Sequence, residues 1–334
     1  GILTHRALLT PEKKDPLSGM TPETQILEVL RVTKEQQILM ESIWKAIREE
    51  LRANGVDVLD FKKISKVDEL MSKKLFGDIK DLFFPKIITM TTSDGLELPG
   101  LVVFPKDFDP SRKYPVHVDI YGGPDTPQVS DRFSTFNRYQ WYSDNGIIEC
   151  VLDCRAAGYN GREGLDMIYK HLDEIEVKDF VEWAEYLKKL PYVNGDKIGV
   201  EGFSFGGTMT ALLVMKHPEA FHYGIAGGGV YEWSLYDTHY TERFMSTPQD
   251  NPEGYEETSL LNKAKNLRGR LQIILGYNDP TCVPQHTLSF MRACINAGTQ
   301  PDLFMYPNQG HNMMGHDMVH LHERITRYFD DYLK

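Results

Sequence analysis

Hydrophobic spacing divides the chain in two near Phe84-Pro85. Upstream, Leu39, Ile43, Ile47 and Leu51 recur every four residues, the spacing of one helix face. Thr21-Pro22-Glu23 supplies a cap, a proline suited to the first turn and an early acid, and Thr33-Lys34-Glu35-Gln36 has capping-box spacing. Asn54-Gly55 stops that segment, and Ser65-Lys66-Val67-Asp68 opens a shorter helical pattern that ends near Gly77. Residues 1–83 are therefore expected to form a helical N-terminal extension or cap. Downstream, short apolar runs bounded by turn residues replace the helical period. Residues 86–92 and 96–104 flank Ser93-Asp94-Gly95 as a hairpin, and 116–121, 147–153, 197–201, 223–226, 271–276 and 302–306 read as further strands. Helices are predicted over 174–190, 208–215, 284–297 and 317–333. Antiparallel strands followed by alternating strand and helix predict an α/β fold, a mostly parallel sheet with helices on both faces.

One junction in this pattern carries chemistry. The strand 197–201 runs into Gly202-Phe203-Ser204-Phe205-Gly206-Gly207, and a helix follows. A Gly-x-Ser-x-Gly turn between strand and helix is the setting of a nucleophile elbow, so residues 84–334 are expected to be an α/β-hydrolase domain with Ser204 as nucleophile. A serine hydroxyl needs a base, and the base needs an orienting acid. In this fold class both follow the serine, each on a loop after a strand. Asp279 lies just past the strand 271–276, and His311 just past 302–306. Asp302 is a rival acid, but it stands at the start of its strand. His316, His320 and His322 are rival histidines; His316 and His320, four apart, could share a helix face and hold a metal, and a solvated face accounts for them equally well. The oxyanion of a tetrahedral intermediate needs two donors. The Phe205 N–H is the expected first, and the loop after 116–121 offers Tyr121 as the second.

Composition narrows the partners. The 334 residues are 41% hydrophobic and 25% charged, an ordinary globular balance. A net charge of −11 argues against nucleic acid or an anionic membrane as partner. No apolar run approaches the ~20 residues of a membrane span. Cys150 and Cys154, placed on one predicted strand about 13 Å apart, are too far to bridge. Cys282 and Cys294 fall near opposite ends of a predicted helix, so four free thiols are expected. These thiols leave the compartment open, with a secreted or periplasmic location slightly favoured; Gly1 in place of methionine suggests a processed or trimmed start.

From about Phe84 to Lys334 the chain resembles the catalytic domain of the prolyl oligopeptidase family, its dipeptidyl-peptidase branch most of all. The similar passages are Lys113-Tyr114-Pro115 with Tyr121-Gly122-Gly123-Pro124, Asp153-Cys154-Arg155 with Gly158-Tyr159, and the elbow itself. The longest is the run from Trp233 to Met245, which looks like the stretch lining the pocket for the residue before the scissile bond. The resemblance implies Ser204, Asp279 and His311 as triad, and Tyr121 as side-chain oxyanion donor. It also implies a slot for proline or a small apolar side chain, walled by Phe205, Val230, Trp233, Tyr236 and Tyr240; read alone, the last three aromatics are equally core residues at helical spacing. In the family a β-propeller caps the domain, whereas residues 1–80 read as helical. After Asp279 the family usually has an asparagine contacting the substrate backbone, whereas here Pro280-Thr281-Cys282 precede Val283, one residue more than the family pattern. The expected function is a serine peptidase cleaving short peptides after proline or a small apolar residue, with a carboxylesterase on the same scaffold as the alternative. A binding protein that merely keeps the fold is disfavoured by the intact Ser, Asp and His. Neither metal nor organic cofactor is required. The expected partner is a peptide or small ester substrate, not nucleic acid, and self-association into a homo-oligomer is left open.

Overall fold

The computed structural model describes residues 85–130 and 138–334. The helical extension expected over 1–83 lies outside the described residues. The strands are β1 (Lys86–Thr91), β2 (Glu97–Val103), β3 (Tyr114–Ile120), β4 (Ile148–Leu152), β5 (Val193–Phe203), β6 (Tyr223–Gly227), β7 (Arg270–Gly276) and β8 (Asp302–Tyr306). The helices are α1 (Arg138–Asp144), α2 (Gly161–Asp166), α3 (Ile175–Lys188), α4 (Phe205–Lys216), α5 (Thr238–Met245), α6 (Pro252–Thr258), α7 (Leu260–Lys263), α8 (Pro284–Ala297) and α9 (His316–Leu333). The strands form one sheet in the order β1-β2-β4-β3-β5-β6-β7-β8. β1, β2 and β4 pair antiparallel, and every pair from β4 through β3 to β8 is parallel.

Burial explains the layering. β4 is buried along its whole length, as a strand covered on both faces must be. α4 is buried at every residue but Lys216 and runs against the middle of the sheet, so its apolar sequence needs no polar stripe. α9 is amphipathic instead, burying Leu321, Ile325, Tyr328, Phe329 and Leu333 on one side. Trp183, fully buried on α3, donates its indole N–H to the Asp153 carbonyl at 3.0 Å and ties that helix to the end of β4. Arg155 is also buried, its guanidinium bonded to Asp179 of α3 and to Asp94 of the β1–β2 turn, both at 2.7 Å.

The predicted strands are all present, with two corrections around them. Cys154 is not on a strand: β4 stops at Leu152, and Cys154 leads into a 3-10 turn at Arg155–Ala157. The helix predicted from Thr208 begins at Phe205, directly after the elbow serine. All four cysteines are free and buried.

A polar cluster lies within the sheet. His117 on β3, wholly buried, bonds Glu149 of β4 through Nδ1 and Glu201 of β5 through Nε2 at 3.1 Å, with the Tyr142 ring stacked on it at 4.2 Å. Burial opposes its charge, but the two glutamates outweigh burial and raise its pKa from 6.5 to about 9. A folded pKa above the unfolded one means stability present below pH 6.5 and lost as pH rises through about 9. Thermal melts should therefore fall between pH 7 and 10. His117→Asn should melt lower at pH 7, by a few kcal/mol for a broken buried pair, and show a flatter decline. A parallel decline in both proteins would remove His117 from that role.

Candidate active site

Local geometry at the elbow follows from its glycines. Ser204 has φ 60° and ψ −121°, a left-handed conformation that costs a non-glycine residue energy and persists only where its surroundings enforce it. Its N–H donates to the Gly227 carbonyl at 2.8 Å, and its carbonyl accepts from the Gly207 and Thr208 N–H groups at 2.9 and 3.2 Å. A Cβ on Gly202 would meet the Gly206 carbonyl oxygen at 2.3 Å, and one on Gly206 the Ile120 carbonyl oxygen at 2.4 Å. Only glycine lets strand, helix and the end of β3 approach this closely. The turn carries Ser204 to the carboxyl end of β5, at the N-terminus of α4.

The carboxyl ends of β7 and β8 bring in the acid and the histidine. Gly276 pairs with Tyr306, and beyond the strands the Tyr277 and Asn278 N–H groups donate to the Tyr306 and Gln309 carbonyls at 3.0 and 2.9 Å. These bonds zip the two loops together. His311 Nδ1 lies 2.7 Å from Asp279 Oδ2, and Asp279 Oδ1 accepts the Thr281 and Cys282 N–H groups at 2.8 and 2.9 Å. Asp279 is buried and His311 half-buried, its ring edge-on to Phe203. The rivals lie elsewhere. Asp302 begins β8, at the other end of the strand from His311, and His320 Nδ1 bonds the Tyr306 hydroxyl at 2.8 Å.

Tyr121, just after β3, reaches Ser204 with its hydroxyl, and burial raises its pKa, which keeps the phenol protonated as a donor. Phe205 opens α4 and carries the neighbouring backbone N–H. Cys282 also comes within hydrogen-bonding reach of the Ser204 side chain; its thiol, pushed up to about 12 by burial, stays neutral there. From the sequence, Cys282 is expected as a free thiol near a helix end, in the stretch after Asp279 that departs from the family pattern. Its position three residues beyond Asp279, whose carboxylate its N–H caps, was the available signal.

The aromatic residues gather beside the serine. Phe205 lies 6.2 Å from Tyr121 and 5.8 Å from Trp233, ring centre to ring centre. Trp233 stacks on Tyr240 at 6.1 Å and meets Tyr236 edge-on at 5.6 Å. Val230 is buried, its backbone N–H and C=O both bonded to the Thr208 hydroxyl at 2.9 Å, which clamps the loop after β6 onto α4. Phe205, Val230 and Trp233 are part of the main buried core, and Tyr236 and Tyr240 pack against it. The helix α5, capped by Asp237 on the Tyr240 N–H at 2.9 Å, is what orients Tyr240.

The sequence profile of the prolyl oligopeptidase family matches residues 132–334. The chain belongs to that family. Human dipeptidyl peptidase 8 is 30% identical over 243 residues, which are 71% of this chain and 27% of the human protein. Among solved structures, Porphyromonas gingivalis dipeptidyl peptidase 4 superposes with a TM-score of 0.75 at 33% identity, over 79% of this chain and 37% of that one. A candidate dipeptidyl aminopeptidase IV from Bacteroides ovatus gives 0.72 at 45% identity, over 75% and 36%. The chain thus spans 27% to 37% of the length of these relatives.

Proposed function

We propose that this chain is a serine peptidase that cleaves short peptides after proline or a small apolar residue. The observation that carries the reading is the convergence at one sheet edge: Ser204 in its enforced left-handed turn, the His311–Asp279 pair at 2.7 Å, and the Tyr121 hydroxyl turned toward the serine. Ser204 Oγ attacks the scissile carbonyl carbon while its proton passes to His311 Nε2. Asp279 holds the Nδ1 proton and steadies the imidazolium. Tyr121 O–H and the Phe205 N–H take the oxyanion. Collapse expels the amine, which leaves with the proton from His311, and a water deprotonated by His311 then releases the acyl group and restores the serine. The slot of Phe205, Val230, Trp233, Tyr236 and Tyr240 suits a flat pyrrolidine ring, which packs well on aromatic faces. The names of these relatives, all dipeptidyl peptidases, favour a peptidase over an esterase.

Tyr121→Phe is expected to lower turnover by roughly 10–1000-fold, the range for losing one oxyanion donor, with little change in KM. A loss under threefold would leave the second donor position open. The substrate class is tested with glycyl-prolyl-p-nitroanilide and p-nitrophenyl acetate side by side, with Ser204→Ala as blank. Turnover of both is expected. Hydrolysis of the ester alone would overturn the peptidase reading in favour of an esterase.

A further inference from the structure

We propose that Asp173 is a positioning residue for the slot: by holding Trp233 it sets how sharply the enzyme discriminates the residue before the scissile bond. This inference rests on the peptidase reading of the slot. Trp233 is the hub of the cluster, with Phe205, Tyr236 and Tyr240 all meeting its ring. Its indole N–H donates to Asp173 Oδ2 at 2.6 Å. Both side chains are buried, at 1% and 2% exposure, so water cannot substitute for that bond. Asp173 comes from the loop before α3, and no other expected slot residue comes from that part of the chain.

Two further features single it out. Its φ is 71°, a left-handed conformation that aspartate tolerates better than most residues but that glycine would adopt freely. The backbone strain is borne at the residue whose carboxylate holds the slot wall. Its second oxygen, Oδ1, has no hydrogen-bond partner among the described residues. An apolar side chain here would leave the buried Trp233 N–H without its acceptor, which is the part the carboxylate plays for the slot wall.

The groups facing Asp173 are Glu174 and Glu176 on its own segment, Tyr240 from α5, Lys216 from α4 and Lys263 from α7. Burial raises its pKa to about 7, so its charge changes near neutrality. An ionised carboxylate grips the indole N–H harder than a neutral one. The wall is therefore firmer above pH 7 than below it.

The test compares Asp173→Asn, which keeps an acceptor, with Asp173→Ala and Asp173→Gly, which remove it; glycine also relieves the left-handed turn. Kinetics are read on glycyl-prolyl- and glycyl-leucyl-p-nitroanilide, with p-nitrophenyl acetate as the substrate that leaves the slot empty. For the alanine and glycine variants the prolyl KM should rise about tenfold and the proline-over-leucine preference should fall, the scale of one lost hydrogen bond to a charged group. Ester turnover should stay within about twofold, because the triad and its donors are untouched. Asparagine should restore most of the selectivity and abolish the change in KM between pH 6 and 8. Equal losses on ester and anilide, or unchanged selectivity in the glycine variant, would overturn the proposal. If the wild type does not cleave the anilide, the peptidase reading fails separately. The slot is then read with p-nitrophenyl cyclopentanecarboxylate against the acetate, and a preference unmoved by Asp173→Gly overturns the role of Asp173.

Discussion

Ser204→Ala is expected to abolish hydrolysis of anilide and ester alike, a fall of about 10⁶-fold in turnover, while leaving the thermal midpoint within a few degrees of wild type. The two halves of this expectation have separate causes. Ser204 holds the elbow entirely through its backbone, with its N–H on Gly227 and its carbonyl under Gly207 and Thr208. Alanine keeps all three bonds, and the packing set by Gly202 and Gly206 does not involve the hydroxyl. Chemistry, by contrast, has no ready second nucleophile among the described residues beside the elbow. Cys282 is the nearest candidate, and burial holds its thiol neutral with a pKa near 12, so the thiolate that would attack is scarce at neutral pH. Residual catalysis from the oxyanion donors alone is on the order of 10³–10⁴ over water, far below a working enzyme. The measurement is turnover on both substrates beside a thermal melt, with labelling by a serine-directed phosphonate as a third readout. Activity above about a hundredth of wild type, with labelling retained, would move the nucleophile away from Ser204.

The placement of Ser204, Asp279 and His311 at the carboxyl ends of their strands was legible because each position follows a topological rule. A nucleophile after β5, an acid after β7 and a histidine after β8 can be found by locating strands; β7, buried beyond its first residue, announces itself as a short apolar run, and β8, more exposed at the sheet edge, by Leu303-Phe304-Met305-Tyr306. Local spacing was less informative where helices are short. α5, α6 and α7, of eight, seven and four residues, carry too few turns to show a period, and their placement depends on what they pack against. Asp173 was invisible for a different reason. Its partner Trp233 is 60 residues away, and nothing in Leu172-Asp173-Glu174 distinguishes a buried indole acceptor from a surface turn. His117 was hidden likewise. In Val116-His117-Val118 it reads as the polar member of an alternating strand, yet both neighbouring strands answer it with glutamates across the sheet. Pairings of this kind are set by register, which a single sequence states only indirectly.

Asp279→Asn should lower turnover by about 10⁴-fold with KM little changed, because the substitution reverses the proton on His311 without moving it. The wild-type carboxylate is divided by its surroundings. Oδ1 is committed to the Thr281 and Cys282 N–H groups, and Oδ2 to His311 Nδ1. An asparagine placed there must keep its oxygen on the two backbone donors, since an NH₂ group facing two N–H groups would leave three buried donors in conflict. Its NH₂ therefore points at His311 Nδ1 and donates to it. The imidazole proton is then forced to Nε2, the atom that has to be bare to take the proton of Ser204. Binding in the slot does not pass through Asp279, so KM is spared. The check is kcat and KM on the prolyl anilide together with phosphonate labelling, whose rate should fall in step with kcat because the same proton transfer drives it. A variant within about tenfold of wild type would mean that the tautomer is fixed by another group and that Asp279 acts only as a loop cap. In that case Asp279→Ala, which frees the Thr281 and Cys282 N–H groups, should cost more in thermal stability than in turnover; the opposite ranking is the one the triad requires.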